Sequence, residues 1–144
     1  MKRILTMIIV SLCIITGAAF ASANGGTLQK EKTPLNQTTK AKDITLTLDN
    51  YSIKNNDLMV EYTVQSEGKN DLEPRGLLER PDVVIAGELE HAYSQTHKKI
   101  GEGKYTGSAK IKLPENISNN FEVEFNTDAI LNQEGQWTVN FKVK

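Results

Sequence analysis

The chain has 144 residues, with 17 Lys+Arg against 18 Asp+Glu, two histidines and a single cysteine. So even a balance of charge leaves no electrostatic footprint for nucleic acid, and one cysteine cannot build a disulfide framework. The length suits one domain with a hydrophobic core of its own.

Lys2 and Arg3 begin the chain with positive charge. Ile4 to Phe20 is apolar apart from Thr6, Ser11 and Thr16, and Ala21-Ser22-Ala23 comes next with small side chains. An apolar stretch that partitions into lipid, then an Ala-x-Ala that fits a narrow peptidase pocket, makes residues 1–23 a secretory signal cut after Ala23. The competing reading is an uncleaved anchor, because the apolar run falls only slightly short of the roughly 20 residues that span a bilayer. In both readings the remainder of the chain is exported, secreted or surface-associated, and meets the membrane only if the N-terminal segment is retained. Cys13 lies mid-way through the run behind Leu12, where an acylation site wants a small residue, so it reads as one more apolar side chain of the signal. Loss of Lys2 and Arg3 with the signal leaves 15 Lys+Arg against 18 Asp+Glu and no cysteine. The exported part must then stand on its core alone, in a compartment where disulfides are possible.

Residues 24–42 hold only two large apolar side chains, Leu28 and Leu35, among Gly, Thr, Lys and Gln. So little apolar surface does not offset the entropy of ordering, and the stretch is predicted to be a flexible leader. From Asp43 the pattern turns to period two, the repeat of a strand with one buried and one wet face. Ile44, Leu46 and Leu48 alternate with Thr45, Thr47 and Asp49. Asn55-Asn56-Asp57 reads as a turn, and Leu58, Val60, Tyr62 and Val64 form the inner face of the returning strand. Val83 to Ala86 is apolar on both sides and reads as a short buried strand. Ala109, Ile111 and Leu113 alternate until Pro114, and Phe121, Val123 and Phe125 alternate with Glu122 and Glu124. Trp137, Val139, Phe141 and Val143 close the chain on one face, with Trp137 expected near the centre of the core. About seven short strands over residues 43–144 predict an all-β fold, a two-sheet sandwich of immunoglobulin type without a disulfide.

Two stretches break the alternation. Ser66 to Pro81 is long and crowded with charge, and a helical turn is expected around Leu72 or Leu77-Leu78. Thr127 to Gly135 has room for another, with Ile130 and Leu131 dropping into the core.

The paired opening strands from Ile44 to Val64, the Tyr105 to Pro114 run and the closing Gly135 to Val143 resemble a family. It comprises the immunoglobulin-like extracytoplasmic domains of unknown function on anti-sigma-factor-like membrane proteins of Gram-positive bacteria. The resemblance implies a fold and a compartment. Its relatives carry a cytoplasmic segment and a transmembrane helix ahead of the ectodomain, and this sequence has nothing equivalent to hold a sigma factor.

Chemistry leaves little trace. There is no Gly-x-Ser-x-Gly elbow and no cysteine outside the signal, and two histidines serve all the serines, so neither an enzyme nor a cofactor is expected. His91 and His97 lie in GELEHAYSQTHKKIGEG beside Glu88 and Glu90 and would share a face on a strand. Their spacing is not that of a metal site, and Gly87, Gly101 and Gly103 instead suggest a loop-edged hairpin with exposed histidines. Asp49-Asn50 and Asn55-Asn56-Asp57 are rich in oxygen, but turn chemistry accounts for them without calcium. Arg75, Leu77, Leu78 and Arg80 sit on the long Ser66–Pro81 connection. They offer either a surface for a protein or envelope polymer, or a loop tucked over one end of the domain. The expected function is that of an exported, non-enzymatic binding module whose long loops, Ser66–Pro81 and Glu88–Lys104, meet a partner. The alternatives are a structural subunit that assembles through edge strands, with the leader as donor, and an inhibitor of a secreted enzyme.

Overall fold

Tight turns set the register of the strands. The computed structural model describes residues 28–68 and 76–144, so the signal segment, the start of the leader, Leu72 and Arg75 lie outside the described residues. Lys42-Asp43, Asn55-Asn56, Ala86-Gly87, Glu102-Gly103 and Leu131-Asn132 each close a hairpin over two residues. In Asn55-Asn56 (53° and 63°), Ala86-Gly87 (51° and 89°) and Leu131-Asn132 (51° and 61°) both residues have positive φ. That is the mirror-image turn whose twist matches an antiparallel pair.

The strands are β1 (Lys30–Ala41), β2 (Ile44–Lys54), β3 (Asp57–Ser66), β4 (Asp82–Ile85), β5 (Glu88–Gly101), β6 (Lys104–Lys112), β7 (Phe121–Ile130) and β8 (Gln133–Val143). They form one antiparallel sheet of eight strands in the order β1-β2-β3-β6-β5-β4-β7-β8. The sheet curls until β1 lies against β8, a nearly closed barrel whose last seam carries no ladder. β5 is the corner. Its first residues, Glu88 to His91, pair with β4, and the rest, from Ala92 to Gly101, pairs with β6.

The all-β expectation holds, and the alternating side chains named from the sequence line the interior. Trp137 is fully buried, and its Nε1–H donates to the Ile44 carbonyl at 3.0 Å, joining β8 to the start of β2. A second tie crosses nearby, where Lys42 Nζ donates to the Glu134 carbonyl. Deeper in, the Tyr51 and Phe141 rings stack with centroids 5.5 Å apart. Tyr62 lies across Gly107 of the neighbouring strand, where an added Cβ would sit 2.7 Å from the phenol and 2.6 Å from the Thr96 carbonyl. The absent side chain is what lets the ring pass.

Three expectations are corrected. Residues 30–41 of the predicted leader are a strand. In keeping with its low apolar content, β1 has no fully buried residue, but backbone pairing with β2 orders it without a core. Leu28, Leu35 and Ala41 pack at the core margin, and Lys32–Glu61 (2.5 Å) and Lys40–Glu67 (2.7 Å) pin the strand from outside. Bulges between Lys30/Thr33 and Pro34/Gln37, with Asn36 at a φ of 51°, take up the proline that cannot donate to a ladder. Second, Thr127–Gly135 is the β7–β8 hairpin and holds no helical turn. Ile130 and Leu131 are nonetheless buried, as expected. Third, Leu77-Leu78 makes no helical turn but is tied to the end of β7, through a bridge between Leu78 and Ile130 and the Leu131 N–H to Leu77 carbonyl bond at 3.0 Å.

The close approach at Gly107 yields a stability prediction. Gly107→Ala should cost roughly 1–3 kcal/mol, because the ring and a backbone carbonyl must both give way. Tyr62→Phe should stay within about 1 kcal/mol of the parent or exceed it, because the buried hydroxyl has no hydrogen-bond partner among the described residues. Thermal melts followed by circular dichroism read both, and an unchanged melt for Gly107→Ala would contradict the packing.

Candidate functional site

Past His91 the strand β5 leaves β4 and pairs with β6 alone. Every residue from Gln95 to Gly101 is exposed, whichever face it points to. Leu89, Tyr93 and Ile100, exposed by 59%, 58% and 50%, are the large apolar side chains left in solvent among the described residues, and all three belong to this one strand. Beyond the Ala92 N–H, which reaches the Pro81 carbonyl at 3.4 Å, no described residue pairs with the side of Tyr93 to Lys98 that faces away from β6. Among the described residues this is a free sheet edge with both faces wet.

Its inner side is firmly held. Ser94 to Lys99 run in continuous register against Lys110 to Tyr105, with irregularities at Tyr93 and Ile100 on either side. Thr96 Oγ1 and Ser108 Oγ lie 2.8 Å apart, and the Lys99 ammonium sits 6.0 Å above the Tyr105 ring. Tyr93 reaches across to Asp57 on β3, which Lys112 also meets at 3.2 Å. Partial burial pushes the Asp57 carboxyl up, but hydrogen bonds from the Tyr93 hydroxyl and Lys112 outweigh it and hold the group below the usual carboxylate range. The same bond to Asp57 raises the Tyr93 phenol. The hairpin from Ala92 to Lys112 carries Lys98, Lys99, Lys104, Lys110 and Lys112 against Glu102 alone. It is basic in a chain that is slightly acidic.

The residues singled out from the sequence fall elsewhere. Leu77 and Leu78 are exposed by 1% and 2% and belong to the core, so they are not available to a partner. Of the two loop readings, the tucked one applies to them. Arg80 is exposed at a φ of 34°, and Arg75 lies outside the described residues. Glu88–Lys104, expected as a long loop, is instead β5, the Glu102-Gly103 turn and the start of β6. The glycines mark the turns at its ends, but the sequence hides the strand between them, because a strand wet on both faces has no alternation to read.

The structure does not bring His91 and His97 together. His91 Nδ1 meets Asp82 at 2.8 Å, in a cleft of about 670 Å³ lined also by Glu79, Arg80 and Asp128. His97 lines a different recess with Glu61 and Thr106, and no three-residue metal-ligating cluster occurs among the described residues. A further cleft of about 600 Å³ lies over Val84, ringed by Glu122, Glu124, Asn140 and Lys142. Among the described residues, neither of these clefts is lined by a serine, threonine or cysteine.

With this geometry in place, known proteins add one comparison. No protein-family model matches the chain, and no curated protein matches it. Among solved structures, the conserved domain protein from Bacillus anthracis is similar, with a TM-score of 0.63 and 20% identity over 79% of this chain and 42% of that one. The likeness is one of fold. The chain spans less than half the length of that protein.

Two variants separate the loop readings. Leu78→Ala should cost about 2–5 kcal/mol as a core truncation, while Arg80→Ala should leave the denaturation midpoint unchanged. On β3, Asp57→Asn should lower the Tyr93 pKa toward its ordinary value, read from ring proton shifts during an alkaline titration. The folded Asp57 titrates below its unfolded value, so its stabilisation is complete above the unfolded pKa and is lost as pH falls through the folded one. The Asn variant should therefore lack that part of the acid limb.

Proposed function

We propose that the chain is an exported, non-enzymatic interaction module of the cell envelope or its medium, and that the distal half of β5 is its contact surface. The observation that carries this is the concentration of exposed apolar side chains, Leu89, Tyr93 and Ile100, on one strand whose edge has no described partner. Isolated apolar side chains at a surface need no explanation, whereas Tyr93 and Ile100 bracketing an edge with no described partner, with Leu89 just before it on the same strand, form a docking element. Export rests on the Lys2–Ala23 pattern.

The strand order supports an immunoglobulin-like reading of the fold. β2-β3-β6-β5 and β4-β7-β8 follow the ABED and CFG orders of the constant-type domain. In this reading β1 is an added strand beside A, and the β4–β5 hairpin joins the two sheets at a corner. Such a frame presents its edges and loops to protein or polymer partners, and its function resides in those surfaces rather than in the fold.

Assembly through edge strands stands as the second reading, favoured by the same open edge of β5. The predicted donor is less suited to it, because β1 already pairs with β2 of its own chain.

A photoreactive residue at Tyr93 on producing cells tests the surface. It should give one discrete cross-linked species that Leu89→Ser and Ile100→Ser diminish, while the same probe at Asn140 gives none. Equal cross-linking from both positions would overturn the proposal.

A further inference from the structure

We infer that the distal half of β5 receives an acidic, extended polypeptide segment as an added ninth strand, an assignment that rests on the contact surface proposed above. A strand edge offers a row of N–H and C=O groups at fixed spacing, which only another extended backbone can pair in full. Other edges of the sheet are less available. The outer sides of β1 and β8 lie against each other across the seam, and the far side of β4 is paired to β7. Tyr93 to Lys98 has β6 on one side and no described partner on the other.

Charge selects the occupant. Lys98 stands on the open strand, and Lys104 and Lys110 flank it on β6. A second copy paired edge to edge would bring the same lysines from both chains into one ladder with no carboxylate on either strand from Ala92 to Gly101 to set opposite them. Lysines on an edge are a common guard against self-pairing for this reason. A segment with Glu or Asp at alternate positions meets that charge and still supplies the ladder. Tyr93 and Ile100 mark the two ends of the receiving run, roughly 24 Å apart at about 3.4 Å per residue. Tyr93 and Ile100 leave apolar surface in solvent at the two ends, so an apolar side chain of the incoming strand has a surface to cover there.

An isotopically labelled sample of the exported chain, mixed with a capped octapeptide alternating valine and glutamate, tests the inference by amide hydrogen exchange. Alternate amides between Tyr93 and Lys98 should exchange roughly tenfold more slowly with this peptide. The counterpart alternating valine and lysine should leave them unchanged. Lys98→Glu, a surface change that leaves the core intact, should weaken the response to the acidic peptide. Equal protection by both peptides would overturn the charge selection. Side-chain shifts without amide protection would overturn strand addition, as would the same shifts with polyphosphate, a polyanion that has no backbone to pair. Slow exchange that grows with the concentration of the protein alone would make the occupant a second copy. If the peptides fail while Tyr93 still cross-links on cells, only this inference falls. If both fail, the contact surface falls with it.

Discussion

The indole of Trp137 holds the sheet closed. A curled sheet must join its last strand to its first, and between β8 and β1 there is no ladder to do so. The bond from Trp137 to the Ile44 carbonyl reaches past that seam to the first residue of β2, and the Lys42 contact with Glu134 repeats the join one turn away. A buried Trp needs a partner for its N–H, and here the partner is the backbone of β2 across the seam. Gly135 gives the ring its room, since a Cβ there would lie 2.5 Å from it. One side chain thus satisfies its own polar atom, is fully buried and ties β8 to β2.

Most of the body was legible because each of its strands has one dry face. In β2, β3, β7 and β8 nearly every second residue is buried, and a slip of one place would reverse all of them. The Asn55-Asn56 turn was equally plain, because asparagine tolerates the left-handed backbone that this hairpin requires. The Leu131-Asn132 turn was not, because a leucine at a φ of 51° contradicts local preference. Burial of its side chain compensates for that strain, and burial is a tertiary fact absent from any short window of sequence.

What escaped was everything stabilised by backbone pairing alone. β1 and the distal half of β5 have no buried residue between them, so their strand character resides in ladders with β2 and β6 that hydropathy does not register. The candidate surface was missed for the same reason. Leucines in a charged loop look like bait, yet Leu77 and Leu78 are part of the core. The residues left in water, Tyr93 and Ile100, lie in a polar stretch that has the composition of a connection.

The corner position of β5 decides which way the molecule faces. β1 enters beside Ile53 and runs the full height of the sheet to Ala41. Gly101, at the tip of β5, lies at that same far end, next to the Lys104 side of the Glu102-Gly103 turn and near Ser66. Whatever precedes Lys30 therefore attaches at the base, and the open edge of β5 runs the height of the sheet, from Tyr93 near Asp57 at the base to Gly101 at the far end. Held from below, the domain would stand like a post with its docking edge running up one side.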